Sequence, residues 1–311
     1  MMKNLYYGFA KFAQSIVCFV ILVTSFVAMA QNQSVSTTLK PIPIPAQVLA
    51  KEGTAQIQDT RLWYWDTGGN GVPIVLLHPA TGSALIWGYQ QPAFAKAGYR
   101  VIAYSRRGYY NSAPFDSKNP GIGSEDLKQL AERLGLGRFH VVASAAGGSI
   151  ASDFAFSHQE RLLSLTISSN SFGVRDGEIA KAAALIRPKG WEEMPAEFRE
   201  LGPSYRAANP EGMKAWMELE HKALIGRDYR QNLKNEITQA KLKELKLPTL
   251  LIVGAADLST PPSISRLIAA EIPNSRVVII PEAGHSTYWE QPELFNRAVL
   301  DFIGALGKQD K

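Results

Sequence analysis

Sulfur is nearly absent from the reactive repertoire of this chain: its 311 residues include one cysteine, Cys18. A fold built on disulfides, a thiol nucleophile and a thiolate metal site are therefore excluded from everything that follows that residue. Histidine is sparse as well. His140, His158 and His221 are scattered and match no metal-ligand spacing. The chain has no glycine-rich dinucleotide fingerprint and no phosphate loop, so no organic cofactor and no metal are expected. Lysine and arginine are interspersed with acids around Lys181, Arg187 and Lys189 and from Lys234 to Lys246, as on solvated helix faces. No basic stripe carries stacking aromatics, which argues against nucleic-acid binding.

Long apolar runs are missing too, with one exception. Ser15 to Val27 is almost wholly apolar, follows Lys3 and Lys11, and precedes Ala28-Met-Ala30, a small-x-small pattern before Gln31. Residues 1–30 are thus expected to be a signal peptide, short for a comfortable membrane span, and the protein to be a periplasmic or secreted bacterial one with no stable membrane insertion. Removing that segment takes Lys3 and Lys11 from a net charge of +5. Residues 31–55 are polar and proline-rich, with Pro41-Ile-Pro-Ile-Pro45 suggesting an extended arm on the domain surface.

The remainder alternates in period. Arg61–Asp66, Ile74–Leu77, Tyr99–Ala103, Phe139–Val142, Leu163–Ile167, Thr249–Val253 and Val277–Ile280 read as strands, most of them covered on both faces. Helical patterns fall between them at Trp87–Ala97, Glu125–Leu134, Gly148–Ser157, Pro262–Glu271 and Pro292–Leu306. Such alternation predicts an α/β fold, a mostly parallel central sheet with helices on both faces. Residues 172–247 break the rhythm. Glu178–Ile186, Glu192–Leu201, Pro210–Leu224 and Tyr229–Leu245 all look helical, which predicts an inserted helical cap within a core of 56–171 and 248–311.

Four loops follow predicted strands: His78-Pro-Ala-Thr-Gly82, Ala143-Ser-Ala-Ala-Gly-Gly148, Gly254-Ala-Ala-Asp257 and Gly284-His285. In a parallel sheet such loops converge at the carboxyl ends of the strands. From Leu62 to Leu306 the chain resembles the α/β-hydrolase fold superfamily, in particular its capped serine esterases and lactonases. His78-Pro79 matches the family's His-Gly motif. Arg107-Gly108 and Ser112 match its arginine–glycine loop, and Ala143-Ser144-Ala145-Ala146-Gly147 matches the Gly-x-Ser-x-Gly nucleophile elbow. The resemblance implies Asp257 and His285 as acid and base, with the backbone N–H groups of Ala80 and Ala146 as the oxyanion hole. It also implies a small-molecule ester or lactone substrate with an apolar or aromatic acyl part. Trp87, Tyr288 and Trp289 are the expected wall residues, and Trp191 and Trp216 would contribute from the cap.

The departure from the family is Ala145, where a serine is expected. A methyl group cannot attack a carbonyl, and Ser144, one residue before the tip, is expected to point elsewhere. Three readings stand. The serine has been replaced, leaving a hydrolase that binds substrate and scarcely turns it over. Alternatively, the chain is a non-catalytic ligand-binding homologue, or a lyase or cofactor-independent oxygenase that uses only the Asp–His pair. His78 is expected to hydrogen-bond structurally, and Arg106 and Arg107 to serve their loop.

Overall fold

The computed structural model describes residues 39–224 and 230–307. The expected signal segment, Cys18 and Tyr229 lie outside the described residues. Eight strands form one sheet: β1 (Lys51–Ile57), β2 (Thr60–Asp66), β3 (Pro73–Leu77), β4 (Arg100–Tyr104), β5 (Phe139–Ser144), β6 (Leu162–Ser168), β7 (Thr249–Gly254) and β8 (Ser275–Ile280). Their order is β1-β2-β4-β3-β5-β6-β7-β8. The two pairings of β2 are antiparallel and all later ones are parallel.

Side chains alternate across a strand, and here both faces are apolar. Val75 and Leu77 of β3, Ile102 and Tyr104 of β4, and Val141 and Ala143 of β5 enter one core. Ile74, Leu76, Val101, Ala103 and Val142 enter the other. The first core is closed by α2 (Gly123–Arg133), α3 (Ala146–His158) and α8 (Pro262–Glu271), the second by α1 (Gln90–Lys96) and α10 (Pro292–Leu306). This is the doubly flanked, mostly parallel sheet expected from the alternation. A stripe of continuous apolar residues has no other way to leave water.

Between β6 and β7 lie α4 (Gly177–Ala184), α5 (Ala196–Glu200), α6 (Pro203–Ala208) and α7 (Pro210–Ala223), the inserted helical cap. Its breaks follow proline chemistry. Met194, before Pro195, is extended at ψ 141°, so the helix expected over Glu192–Leu201 divides into a 3₁₀ turn at Trp191–Glu193 and the short α5. Pro203 and Pro210 each open a new helix at its first position. The helix expected at Trp87–Ala97 starts later, as α1 from Gln90, behind a 3₁₀ turn at Ala84–Trp87, with Pro92 in α1's first turn, where its missing N–H costs nothing.

Two expectations are corrected. The extended surface arm expected over residues 31–55 overlaps the sheet in its last residues. From Lys51 it pairs with β2 through a full register ending at Ile57–Thr60. Only Ala55 and Ile57 of β1 are buried, so this edge strand carries almost no apolar signal. The arm before it lies against α1, with Val48 N–H donating to Gln91 and the Gln47 amide donating to Gly88 O. The second correction concerns Tyr229–Leu245, which is not an α-helix; its described part contains only a 3₁₀ turn at Ala240–Glu244. The N–H groups of Lys234 and Asn235 donate instead to the Asp153 carboxylate, and that of Gln239 to Asp176.

Candidate active site

The chain leaves β5 through a turn whose tip is Ala145, at φ 46° and ψ −119°. A non-glycine residue with positive φ and extended negative ψ is strained, and such strain persists only where the surroundings fix it. Here they do. Ala145 N–H donates to Ser168 O of β6 at 2.9 Å, and Gly148 N–H returns to Ala145 O at 2.8 Å. Gly147 passes so close to β3 that a Cβ would lie 2.4 Å from Leu77 O. The sharp strand-to-helix elbow is therefore intact, with a methyl group at its tip. Ala146 begins α3, so its N–H is one of the unpaired donors at a helix start. Ser144 is fully buried and its hydroxyl has no partner among the described residues.

The acid and base meet. His285 Nδ1 lies 2.9 and 3.0 Å from the two Asp257 oxygens. The loop after β7 fixes Asp257, whose Oδ1 also accepts the N–H groups of Ser259 and Thr260 at 2.8 Å. A chain of contacts ties this pair to the elbow. Ser168, whose carbonyl holds Ala145, shares a 2.8 Å hydroxyl hydrogen bond with Thr287, two residues past His285. Burial disfavours the His285 imidazolium, but the charge of Asp257 and then that of Glu200 outweigh it, and its pKa rises to about 9, with Arg187 opposing.

Glu200 is a residue that the motifs do not reveal. It closes α5 in the cap, and its carbonyl accepts the N–H of Ser286 at 3.0 Å. As a residue it keeps some exposure, yet its Oε2 is fully buried and unpartnered among the described residues. Burial raises its pKa most strongly. His285, Arg199 and Thr81 pull it down, and Asp257 pushes it up. Thr81, next to Ala80 in the loop after β3, has a buried hydroxyl with no well-aligned hydrogen bond, so the interaction with Glu200 is one of proximity. No sequence pattern marks Glu200. It is one of several acids in a helical stretch, and its neighbours at Thr81 and His285 are distant in the chain.

Glu290 was equally hidden. Its carboxylate, in the short helix α9 (Thr287–Glu290), accepts N–H groups from Gly202 at 2.8 Å, Gly284 at 2.9 Å and Ser286 at 3.2 Å. The two glycines pass backbone to backbone; a Cβ on Gly284 would lie 2.4 Å from Gly202 N. Cap and histidine loop are thus joined beneath His285. Burial raises the Glu290 pKa to about 8 against the pull of those three N–H groups.

The expected aromatic residues divide. Trp87, Trp216, Tyr288 and Trp289 are fully buried in the second core, with Trp87 and Tyr288 ring centroids 4.9 Å apart and the Trp289 indole donating to Gly212 O. Trp191 stands apart, beneath the Arg187 guanidinium. Ala80 lies in the loop after β3 with its side chain exposed. His78 is buried, and burial and then the charge of Arg106 hold its pKa well below the ordinary imidazole value; its Nε2 accepts the Arg106 N–H at 3.1 Å, and its Nδ1 faces Pro79 O. Arg107 pairs with Asp126 and Asp59, and the Ser112 hydroxyl donates to Ser105 O while accepting the Trp63 N–H. Among the described residues no three potential metal ligands cluster.

The alpha/beta hydrolase family matches residues 74–298. A 2-hydroxy-6-oxononadienedioate/2-hydroxy-6-oxononatrienedioate hydrolase of Burkholderia vietnamiensis is 28% identical over 79% of this chain and 91% of its own length. A thermophilic esterase from Thermogutta terrifontis superposes with a TM-score of 0.68 at 25% identity, over 83% of this chain and 99% of its own. The enol-lactonase from Burkholderia xenovorans, at 22% identity and TM-score 0.64, covers 81% of this chain and all of its own, and shares the fold. The family match over residues 74–298 includes Ala145, Asp257 and His285, and the chain belongs to the alpha/beta hydrolase family.

Proposed function

We propose that this chain is a serine-type ester or lactone hydrolase whose nucleophile position holds alanine, so that it binds its substrate without forming an acyl-enzyme. The observation that carries this reading is the strained elbow at Ala145 beside an assembled Asp257–His285 pair. A protein with no use for a residue at that tip gains nothing from holding φ at 46°. With serine at residue 145, neutral His285 would take the hydroxyl proton and Asp257 would favour the imidazolium. The N–H groups of Ala80 and Ala146 would receive the developing oxyanion, each contributing about 3 kcal/mol in the transition state. Acylation of the serine and then hydrolysis complete the cycle. The acyl group in this reading is aromatic or of medium chain length; Trp87, Trp216, Tyr288 and Trp289, expected as its walls, instead back the site from within the second core, and Trp191 lies apart from them.

The test is the Ala145→Ser protein with 4-nitrophenyl acetate. A burst of one nitrophenolate per protein is expected. Its rate should climb toward pH 9, because His285 must first lose the proton it retains up to about that pH. Absence of both burst and turnover would leave the binding-protein reading in possession of the site. The export reading rests on residues 1–30 alone, and the N-terminal sequence of the protein recovered from its host tests it.

A further inference from the structure

The site holds a second carboxylate that the serine mechanism does not use. Glu200 Oε2 is fully buried without a hydrogen-bond partner among the described residues, although its own carbonyl is bonded to Ser286 N–H, next to His285. The Thr81 hydroxyl beside it is likewise buried without a well-aligned bond. Burying an unpaired polar atom costs free energy, and two such atoms side by side, one from the cap and one from the oxyanion loop, mark a place where a polar occupant such as water would satisfy both. His285 completes the group, with Nδ1 held by Asp257 and Nε2 making no hydrogen bond among the described residues.

We infer that Glu200 is a further catalytic residue, the base for a water molecule in a serine-independent hydrolysis in which His285 is the acid. The Glu200 carboxylate takes a proton from water as the water oxygen bonds to the acyl carbon. The carbonyl π pair moves onto oxygen, facing the Ala80 and Ala146 N–H groups. When that pair returns, the bond to the alcohol oxygen breaks and His285 Nε2 delivers its proton there. The proton on Glu200 passes back to His285 through solvent, and one ester and one water become one acid and one alcohol. The route goes beyond the acyl-enzyme reading and needs no group at residue 145.

The two routes demand opposite states of one histidine. Asp257, Glu200 and Arg187 are the charges that face His285, and their balance keeps it protonated to about pH 9. Glu200 is faced by His285, Asp257, Arg199 and Thr81, and burial raises its pKa from the ordinary value. Acylation of a serine speeds up as His285 loses its proton; the Glu200 route slows down. A general base or acid contributes on the order of 10²–10⁴ in rate.

Steady-state hydrolysis of 4-nitrophenyl acetate by the chain as it stands, with alanine at residue 145, is the experiment, run from pH 4 to 10 beside the Glu200→Gln and Thr81→Val proteins. The expected result is a rate above buffer with no burst, rising as Glu200 ionises and falling near pH 9. Glu200→Gln should lose at least tenfold in kcat and the rising limb with it. Thr81→Val, which keeps the carboxylate and removes the hydroxyl that lowers its pKa, should move the rising limb to higher pH, and this decides the matter if Glu200→Gln does not fold. A rate no greater than buffer, a parental rate in folded Glu200→Gln, a rate that continues to climb through pH 9, or an unmoved limb in Thr81→Val would each overturn the inference. Failure of the Ala145→Ser burst bears only on the acyl-enzyme reading.

Discussion

At residue 145 the backbone carries a cost that the side chain does not repay. An alanine at φ 46° and ψ −119° forfeits on the order of 1–3 kcal/mol. Glycine would relieve that strain, although its freer unfolded chain returns roughly 0.5–1 kcal/mol. Ala145→Gly is therefore expected to raise the melting temperature by about 1–2 °C, the shift that about 1 kcal/mol produces in a chain of this length. Ala145→Ser leaves the same dihedral strain in place and should melt within a degree or so of the parent. Scanning calorimetry of the three proteins checks both. A lower melting temperature for Ala145→Gly would mean that the elbow is not strained. Ala151, in the middle of α3 and fully buried, gives the contrast, because glycine there should cost about 1 kcal/mol.

At the scale of elements, the stretch following α7 shows what decides structure when local preference is weak. Its amphipathic pattern suits a helix, yet the Asp153 carboxylate accepts the backbone N–H groups of Lys234 at 2.9 Å and Asn235 at 2.8 Å, the Asn235 amide at 2.8 Å, and the Ser124 hydroxyl. Hydrogen bonds to a charged group contribute about 1.5–3 kcal/mol each, more than helix propensity offers over the same residues. Asp153→Ala should thus lower unfolding free energy by about 2–4 kcal/mol in urea titrations, since it strands one buried and three part-buried donors at once. Those contacts join residues some eighty positions apart, which is why periodicity could not report them. The inner strands were legible for the opposite reason. Runs such as Ile74–Leu77 and Thr249–Val253 are apolar on both faces and state their burial locally. β1 states almost nothing, with two buried residues in seven. In the site, Asp257 and His285 follow strands in register and could be read, whereas Glu200 and Glu290 owe their roles to partners brought by the cap.

For the whole molecule, the buried ionisable groups set how stability follows pH. His285 has a folded pKa of about 9, above its ordinary value of 6.5, so its contribution is complete below about pH 6.5 and is lost as pH rises through 9. Glu290, raised from 4.5 to about 8 by burial, acts with the same sign between about pH 4.5 and 8, opposed below about pH 6.5 by His140, since the folded state resists the ionisation that the unfolded chain accepts readily. The urea midpoint should therefore fall between about pH 6.5 and 9. Glu290→Gln, which cannot ionise, should flatten the part of that decline below pH 8. On the acid side, His140, depressed to about 4 chiefly by burial, and Asp59 and Glu125, lowered chiefly by hydrogen bonds to Arg107 and Lys234, make stability fall as pH drops.

The seam where Gly202 and Gly284 touch has a dynamic consequence. Three amides from two distant segments converge on one carboxylate there, and Ser286 also presents its N–H to the Glu200 carbonyl. This portion of the cap cannot swing away as a door without unmaking the histidine loop. Any breathing that admits substrate must occur farther out, toward α4 and the 3₁₀ turn at Trp191. Amide exchange would record the difference: residues 202, 284 and 286 should exchange slowly and at one common rate, while residues 177–193 exchange sooner. The cap is riveted to the core where the histidine loop passes beneath it.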